Sequence, residues 1–325
     1  MSEPLASPLE GNLLLMLFMT RRCNLDCSYC HMDHNSHPDQ TLERLYRMVD
    51  LAFASYTEVL LHLFGGEPLM RPDLLDSLLT YVAKHYGDRD HKKLITTNGI
   101  LLGGRNLEML LEHEVNLMLS LDGTFDSQGD MRVAHANNKG AYKAIIRNLK
   151  TLLDREIPFF VNMCVSPENV DRMFDNAAFF KGLGIPRLQI AYELGALWTP
   201  QTQARYIAQF ERCITQLQGP HFRLQNNRES EPVLGSSLAI LDADGEIYRG
   251  CAIVLEKNNP TFNTAAYVCH LDDLDDLRGF VKPRIDVVRY FMKHTTDPGD
   301  WSRIRSCMHL GYRLKHQMSK LDHVS

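Results

Sequence analysis

Cys23, Cys27 and Cys30 stand in a C-x3-C-x2-C spacing within RRCNLDCSYCHMD, residues 21–33, directly after the apolar run 13–19. Three thiolates on one short loop can hold three irons of a four-iron, four-sulfur cluster and leave the fourth iron open to another ligand. Two other chemistries use such residues. Structural zinc normally takes two well-separated ligand pairs, and free cysteines are among the most commonly buried residues. The crowding of all three on one loop, with Tyr29 just before the last, favours the cluster.

Further polar signals follow later apolar runs. Gly65, Gly66 and Glu67 open GGEP, Asn98 is central to TNG, and Ser120 begins SLDG. Glycine beside Asn, Asp or Pro is also ordinary turn chemistry, and as isolated tripeptides TNG and SLDG read that way. Without a Cβ, however, glycine lets the backbone approach a ligand closely. In VNMCVS, strand alternation puts Asn162 and Cys164 on one face. Cys164 there is either a packing residue or a thiol presented to the interior, and Gln189 and Tyr192 raise the same choice near the end of the next strand.

Together these segments resemble the radical S-adenosylmethionine (SAM) enzymes. The resemblance implies that SAM chelates the open iron through its amino and carboxylate groups. One electron then splits it into methionine and a 5′-deoxyadenosyl radical. It also implies that Gly65, Gly66 and Glu67 hold the SAM amino group. Ser120 and Arg132 match the serine and arginine that similar peptide-modifying and sulfatase-maturating members use around the SAM ribose and carboxylate. Over SLDGTFDSQGDMR and GAYKAIIRNL the likeness extends for some thirty residues. An electron donor such as flavodoxin or ferredoxin is implied as a partner.

The elements that must position these residues alternate along the chain. Strands are predicted over 12–19, 59–64, 94–97, 115–120, 159–165 and 187–192, with helices over 39–56, 72–85, 105–113, 139–154 and 170–183 between them. In the first helix Leu42, Leu45, Met48, Val49, Ala52 and Phe53 recur at helical spacing, with Asp39 or Thr41 as a cap. Six strands with helical crossovers read as an α/β fold, a partial (β/α)6 TIM-like barrel open on one side. Active residues of such barrels gather at the C-terminal strand ends, where the polar motifs fall.

After Tyr192 the pattern changes: a helix over 200–217 carries Tyr206, Phe210, Cys213 and Leu217 on one face, and a polar loop over 219–230 follows. LAILDADGEIYRGC, residues 238–251, reads as a hairpin ending at Cys251. With the C-x17-C interval to Cys269 it resembles the SPASM and twitch auxiliary-cluster modules. That resemblance implies a second four-iron cluster on Cys251, Cys269 and Cys307, with Cys213, His309 or a substrate on its fourth iron. Leu310 stands where a twitch module has its last cysteine. The expected organisation is a lead-in over 1–11, a barrel over 12–220 and a small hairpin/helix module over 221–325.

The chain has 325 residues, 44% of them hydrophobic, and a net charge of −5 with both signs dispersed. There is no basic stripe for nucleic acid, no run apolar enough to span a membrane, and no signal-peptide pattern around 13–18. Eight cysteines, at least three of them read as metal ligands, point to a reducing cytoplasm. The leading reading is a radical SAM enzyme that oxidises, crosslinks or epimerises a peptide. The runner-up acts on a small molecule, as a dehydrogenase or epimerase of a carbohydrate or aminoglycoside. An iron-sulfur electron carrier or sensor is disfavoured by GGEP and the open iron.

Overall fold

The apolar run before the cysteines forms β1 (Leu9–Phe18), in which Leu13, Leu15 and Leu17 are completely buried. The structure, a computed structural model, describes residues 9–34, 39–135, 138–236, 238–250 and 255–321. After the short β2 (Leu25–Cys27), α1 (Leu42–Ser55) leads into β3 (Tyr56–Phe64), α2 (Pro72–Tyr86) into β4 (Asp90–Thr97), and α3 (Arg105–Glu112) into β5 (Asn116–Ser120). Then come α4 (Phe125–Met131), β6 (Arg132–Ala134), α5 (Asn138–Asp154), β7 (Phe159–Val165), α6 (Met173–Gly182) and β8 (Arg187–Tyr192).

β1, β3, β4, β5, β7 and β8 lie side by side in that order and pair in parallel, each crossover being helical. The helices form as their patterns require. Thr41 caps α1 by accepting from the Arg44 N–H, and Leu45, Met48, Val49, Ala52 and Phe53 are buried. The expected helix over 170–183 divides into a single 3-10 turn at Val170–Arg172 and α6. Two small elements had no clear periodicity: α4, and the two-stranded sheet in which β2 pairs with β6.

The C-terminal third continues the same sheet. After α7 (Pro200–Leu217) and β9 (Arg223–Leu224), β10 (Ala239–Leu241) and β11 (Glu246–Arg249) form the expected hairpin. β10 pairs in parallel with the free edge of β1, Leu15 opposite Ala239, and β12 (Tyr267–His270) adds to β11. Among the described residues the open sheet thus has ten strands. The remaining helices are α8 (Pro260–Ala266), α9 (Arg284–His294) and α10 (Pro298–Leu321).

One buried ion pair joins this added edge to the cysteine loop. Arg21 Nε donates to both oxygens of Asp242, at 2.9 and 3.0 Å, and its Nη1 donates to Glu256 Oε2 at 2.7 Å. Gln40 bridges the same join, donating to the carbonyls of Phe18 and Asp242 at 3.1 Å each. Hydrogen bonding on this scale makes a buried ion pair tolerable, and it fixes the loop leaving β1.

Candidate active site

The backbone of the cysteine loop is held by GGEP. Gly66 N–H donates to Thr20 O and Glu67 N–H to Arg22 O, both at 2.9 Å. A Cβ on Gly65 would lie 2.2 Å from Thr20 O, and one on Gly66 2.3 Å from Arg22 O. These glycines admit the loop's backbone first of all, a closer neighbour than the ligand approach expected from sequence. Both line a cavity of about 360 Å³ together with the thiols of Cys23, Cys27 and Cys30.

The three half-buried thiols share this wall without meeting at a point: among the described residues no three His, Cys, Asp or Glu side chains converge as ligands of a single metal ion. A cluster takes one thiolate per iron, and three thiols on one cavity wall supply that donor set. Burial pushes Cys23 and Cys27 up to about 12; at Cys30 it is outweighed by the His34 contact at 3.5 Å, and the thiol lies below its ordinary value.

Glu67 departs from expectation. Its side chain is completely buried and absent from the cavity wall. Its carboxylate accepts from Leu69 N–H at 3.1 Å, Thr97 Oγ1 at 2.7 Å and Asn98 N–H at 2.8 Å. In this structure the carboxylate forms a brace under the TNG turn. Asn98 then reaches the cysteine loop, donating from Nδ2 to Asn24 Oδ1 at 2.7 Å. Burial pushes the Glu67 carboxyl up to about 7.

Ser120, Asn162 and Gln189 are register partners across β5, β7 and β8 and all line the cavity. The Asn162 Oδ1 is buried without a hydrogen-bond partner. An orphaned acceptor on a cavity wall suits a ligand hydroxyl or amine, so the row fits the polar nucleoside of SAM. Cys164, two residues on, shares this face, whereas Val161, Met163 and Val165 are buried on the other. Burial raises the Cys164 thiol well above its ordinary value, and the charges of Asp122 and Glu193 add to this, so it is a neutral S–H.

Arg132 also lines the cavity, and it is held by a residue that sequence reasoning passed over as part of a turn. Asp122 accepts from Arg132 Nε at 2.7 Å and Nη2 at 3.2 Å, from the Tyr29 hydroxyl at 2.6 Å and from Cys164 N–H at 3.0 Å. At the far end stand Glu193, 3.4 Å from His31 Nε2, and Glu231, which accepts from the Tyr192 hydroxyl at 2.8 Å. Burial pushes both carboxyls up, Glu231 to about 7. Glu193 was findable from its place after the sixth strand; Glu231 lies in a loop without any motif.

Of the cysteines expected to form a second cluster, three are described, each on a different element. Cys213 is buried on α7, and Cys269 is half-buried on β12 opposite Ile247. Cys307 is buried on α10 with its thiol 3.3 Å from Ala196 O. None of the three lines the cavity. His309 is exposed, and Cys251 lies outside the described residues. Two of these thiols are taken up by helix packing, which the hairpin resemblance could not reveal. No helix among the described residues is long and apolar enough to cross a membrane.

Residues 17–180 match the Radical SAM superfamily. A PqqA peptide cyclase from Gluconobacter oxydans is 31% identical over 192 residues, covering 55% of this chain and 48% of that protein. A GTP 3′,8-cyclase from Aquifex aeolicus is 30% identical over 201 residues, covering 58% of each. The chain thus spans about half the length of the curated relatives it matches. The solved structure of anSMEcpe with bound AdoMet superposes with a TM-score of 0.69 at 15% identity, over 92% of this chain and 84% of that one, a likeness of fold.

Proposed function

The chain belongs to the radical SAM superfamily, and on that premise we propose that it cleaves SAM reductively and abstracts a hydrogen atom from a peptide, oxidising, crosslinking or epimerising it. The observation that carries this reading is the single cavity shared by the Cys23, Cys27 and Cys30 thiols, Gly65, Gly66, Asn98, Ser120, Arg132 and Cys164. Its donor set fits a four-iron cluster on the cysteines and SAM beside it. When bound, these supply the radical that removes a hydrogen atom; the protein supplies orientation and exclusion of water.

The residues divide the work by position. Arg132 Nη1 faces Cys27 and the cavity, where a SAM carboxylate would complete a charge-assisted pair. Ser120, Asn162 and Gln189 would hold the nucleoside hydroxyls. Cys164 is proposed as the hydrogen-atom donor of an epimerisation: its S–H bond breaks, a C–H bond forms on the substrate radical, and the resulting thiyl is returned to thiol by one electron and one proton. A flavodoxin- or ferredoxin-type donor would provide that electron and the one for SAM cleavage. The support for a peptide substrate is the PqqA peptide cyclase among the relatives.

A second reading, an amine-bearing small molecule such as an aminoglycoside, is favoured by the acidic end of the cavity, where Glu193 and Glu231 face it and, among the described residues, neither Lys nor a further Arg lines it. Incubation of reduced, cluster-loaded protein with SAM in deuterium oxide separates the readings. Peptides that lose two hydrogens, or gain deuterium at Cα, together with 5′-deoxyadenosine would support the first. Deuterium or unsaturation in an aminoglycoside, with peptides untouched, would replace it by the second.

A further inference from the structure

Asp122 is the carboxylate on which the parts of the site meet. It is 1% exposed, two residues past the end of β5, and its four hydrogen bonds occupy the four lone-pair sites of a carboxylate. Its own N–H donates to Gln128 Oε1 at 2.9 Å. The next residue, Gly123, has φ +135°, and a Cβ there would lie 2.1 Å from Asn176 Oδ1. The carboxylate is thus fixed from both sides.

Its donors come from three segments. Tyr29 lies between two cysteines of the loop, Arg132 pairs with Cys27 across the β2–β6 ladder, and Cys164 belongs to β7. A guanidinium offers its donors along more than one edge. Asp122 takes the Nε and Nη2 edge, which leaves Nη1 4.0 Å from Cys27 Sγ, and the guanidinium sits 5.1 Å from the centre of the Tyr29 ring. A cation this close to a cluster ligand acts on the cluster's charge, and in a buried site salt screens it little.

We infer that Asp122 is a positioning residue that aims Arg132 at Cys27 and balances its charge, and thereby sets the reduction potential of the cluster on Cys23, Cys27 and Cys30. The inference rests on that cluster being present. Reduction adds negative charge to the cluster, so an unbalanced cation nearby favours the reduced form and raises the potential, whereas an unbalanced carboxylate lowers it.

The test is a redox titration of the reconstituted full chain without SAM, followed by electron paramagnetic resonance. Asp122→Asn is expected above wild type, Arg132→Gln below it, and the double variant nearer wild type than either, because removing both members of the pair leaves no unbalanced charge beside the cluster. A merely structural role would loosen the site in both single variants without opposite signs. An unshifted Asp122→Asn, or single variants shifted in the same direction, would overturn the inference. If Asp122→Asn does not fold, Arg132→Gln must still fall and Tyr29→Phe, which leaves both charges in place, must stay at the wild-type potential; any other pair of results overturns it. Wild-type protein that assembles no cluster refutes the cluster assignment itself, an outcome distinct from a cluster whose potential ignores Asp122.

Discussion

Cys23, Cys27 and Cys30 come from one loop whose backbone is tied on one side to Gly66 and Glu67 and on the other to Asp242 through Arg21. All three thiols reach the same cavity. Cys213, Cys269 and Cys307 come from a helix, a strand and another helix, and each answers to its own surroundings: a helix–core contact, a ladder, the carbonyl of Ala196. The contrast shows that ligands close in sequence are gathered by pinning one backbone segment. Ligands spread over three elements depend on packing that spacing alone does not specify.

The sharpest way to break the comparison is to remove thiols from each set. Replacing any of Cys23, Cys27 or Cys30 with Ala is expected to abolish SAM cleavage, measured as 5′-deoxyadenosine, while Cys213→Ala, Cys269→Ala and Cys307→Ala leave it near wild type. Iron analysis should correspondingly give about four iron per chain. About eight, falling to about four when the C-terminal cysteines are replaced, would restore the second cluster and erase the contrast.

Next in size is the glycine seam. Gly66→Ala puts a Cβ against the carbonyls of Arg21 and Arg22, both backbone, and is expected to cost about 3 kcal/mol in denaturant unfolding. Gly129→Ala, in α4 with nothing within 4 Å of the added carbon, is expected to be neutral or slightly stabilising. Equal effects at the two positions would mean that the loop is not held as described.

Glu67→Ala is expected to lower stability by about 1–3 kcal/mol, because three donors lose their buried acceptor. SAM affinity should fall only as far as the TNG turn loosens. A large loss of affinity in a variant of unchanged stability would instead place this carboxylate on the ligand.

The smallest expected effect concerns pH. Burial raises the Glu231 carboxyl from 4.5 to about 7 in the folded chain, so its contribution to stability is complete below 4.5 and is lost as pH rises to about 7. Glu231→Gln should flatten that part of the stability profile. A parallel profile in the variant would remove Glu231 as its source.

How far the site was legible follows the same division. The six parallel strands showed in apolar runs of strand length, and the strand over 159–165 is matched residue for residue by β7. Gly65, Gly66, Asn98, Ser120, Arg132 and Cys164 all reached the cavity. The role of Asp122 was hidden because SLDG is sufficient as a turn and its partners Tyr29 and Cys164 lie far away in the chain. The direction of the Glu67 side chain was hidden for a related reason: GGEP fixes where the backbone runs, while Thr97 and Asn98 decide where the carboxylate points. The pairing of β10 with β1 was likewise unreadable, since a hairpin's pattern does not say which edge it joins.

What the N-terminal loop does with SAM tests the cluster and the SAM pocket together. Protein reconstituted anaerobically with iron and sulfide, reduced and given SAM alone is expected to form 5′-deoxyadenosine and methionine in equal amounts, and its Cys27→Ala variant none. A wild-type chain that carries the cluster and releases no 5′-deoxyadenosine under these conditions would contradict it.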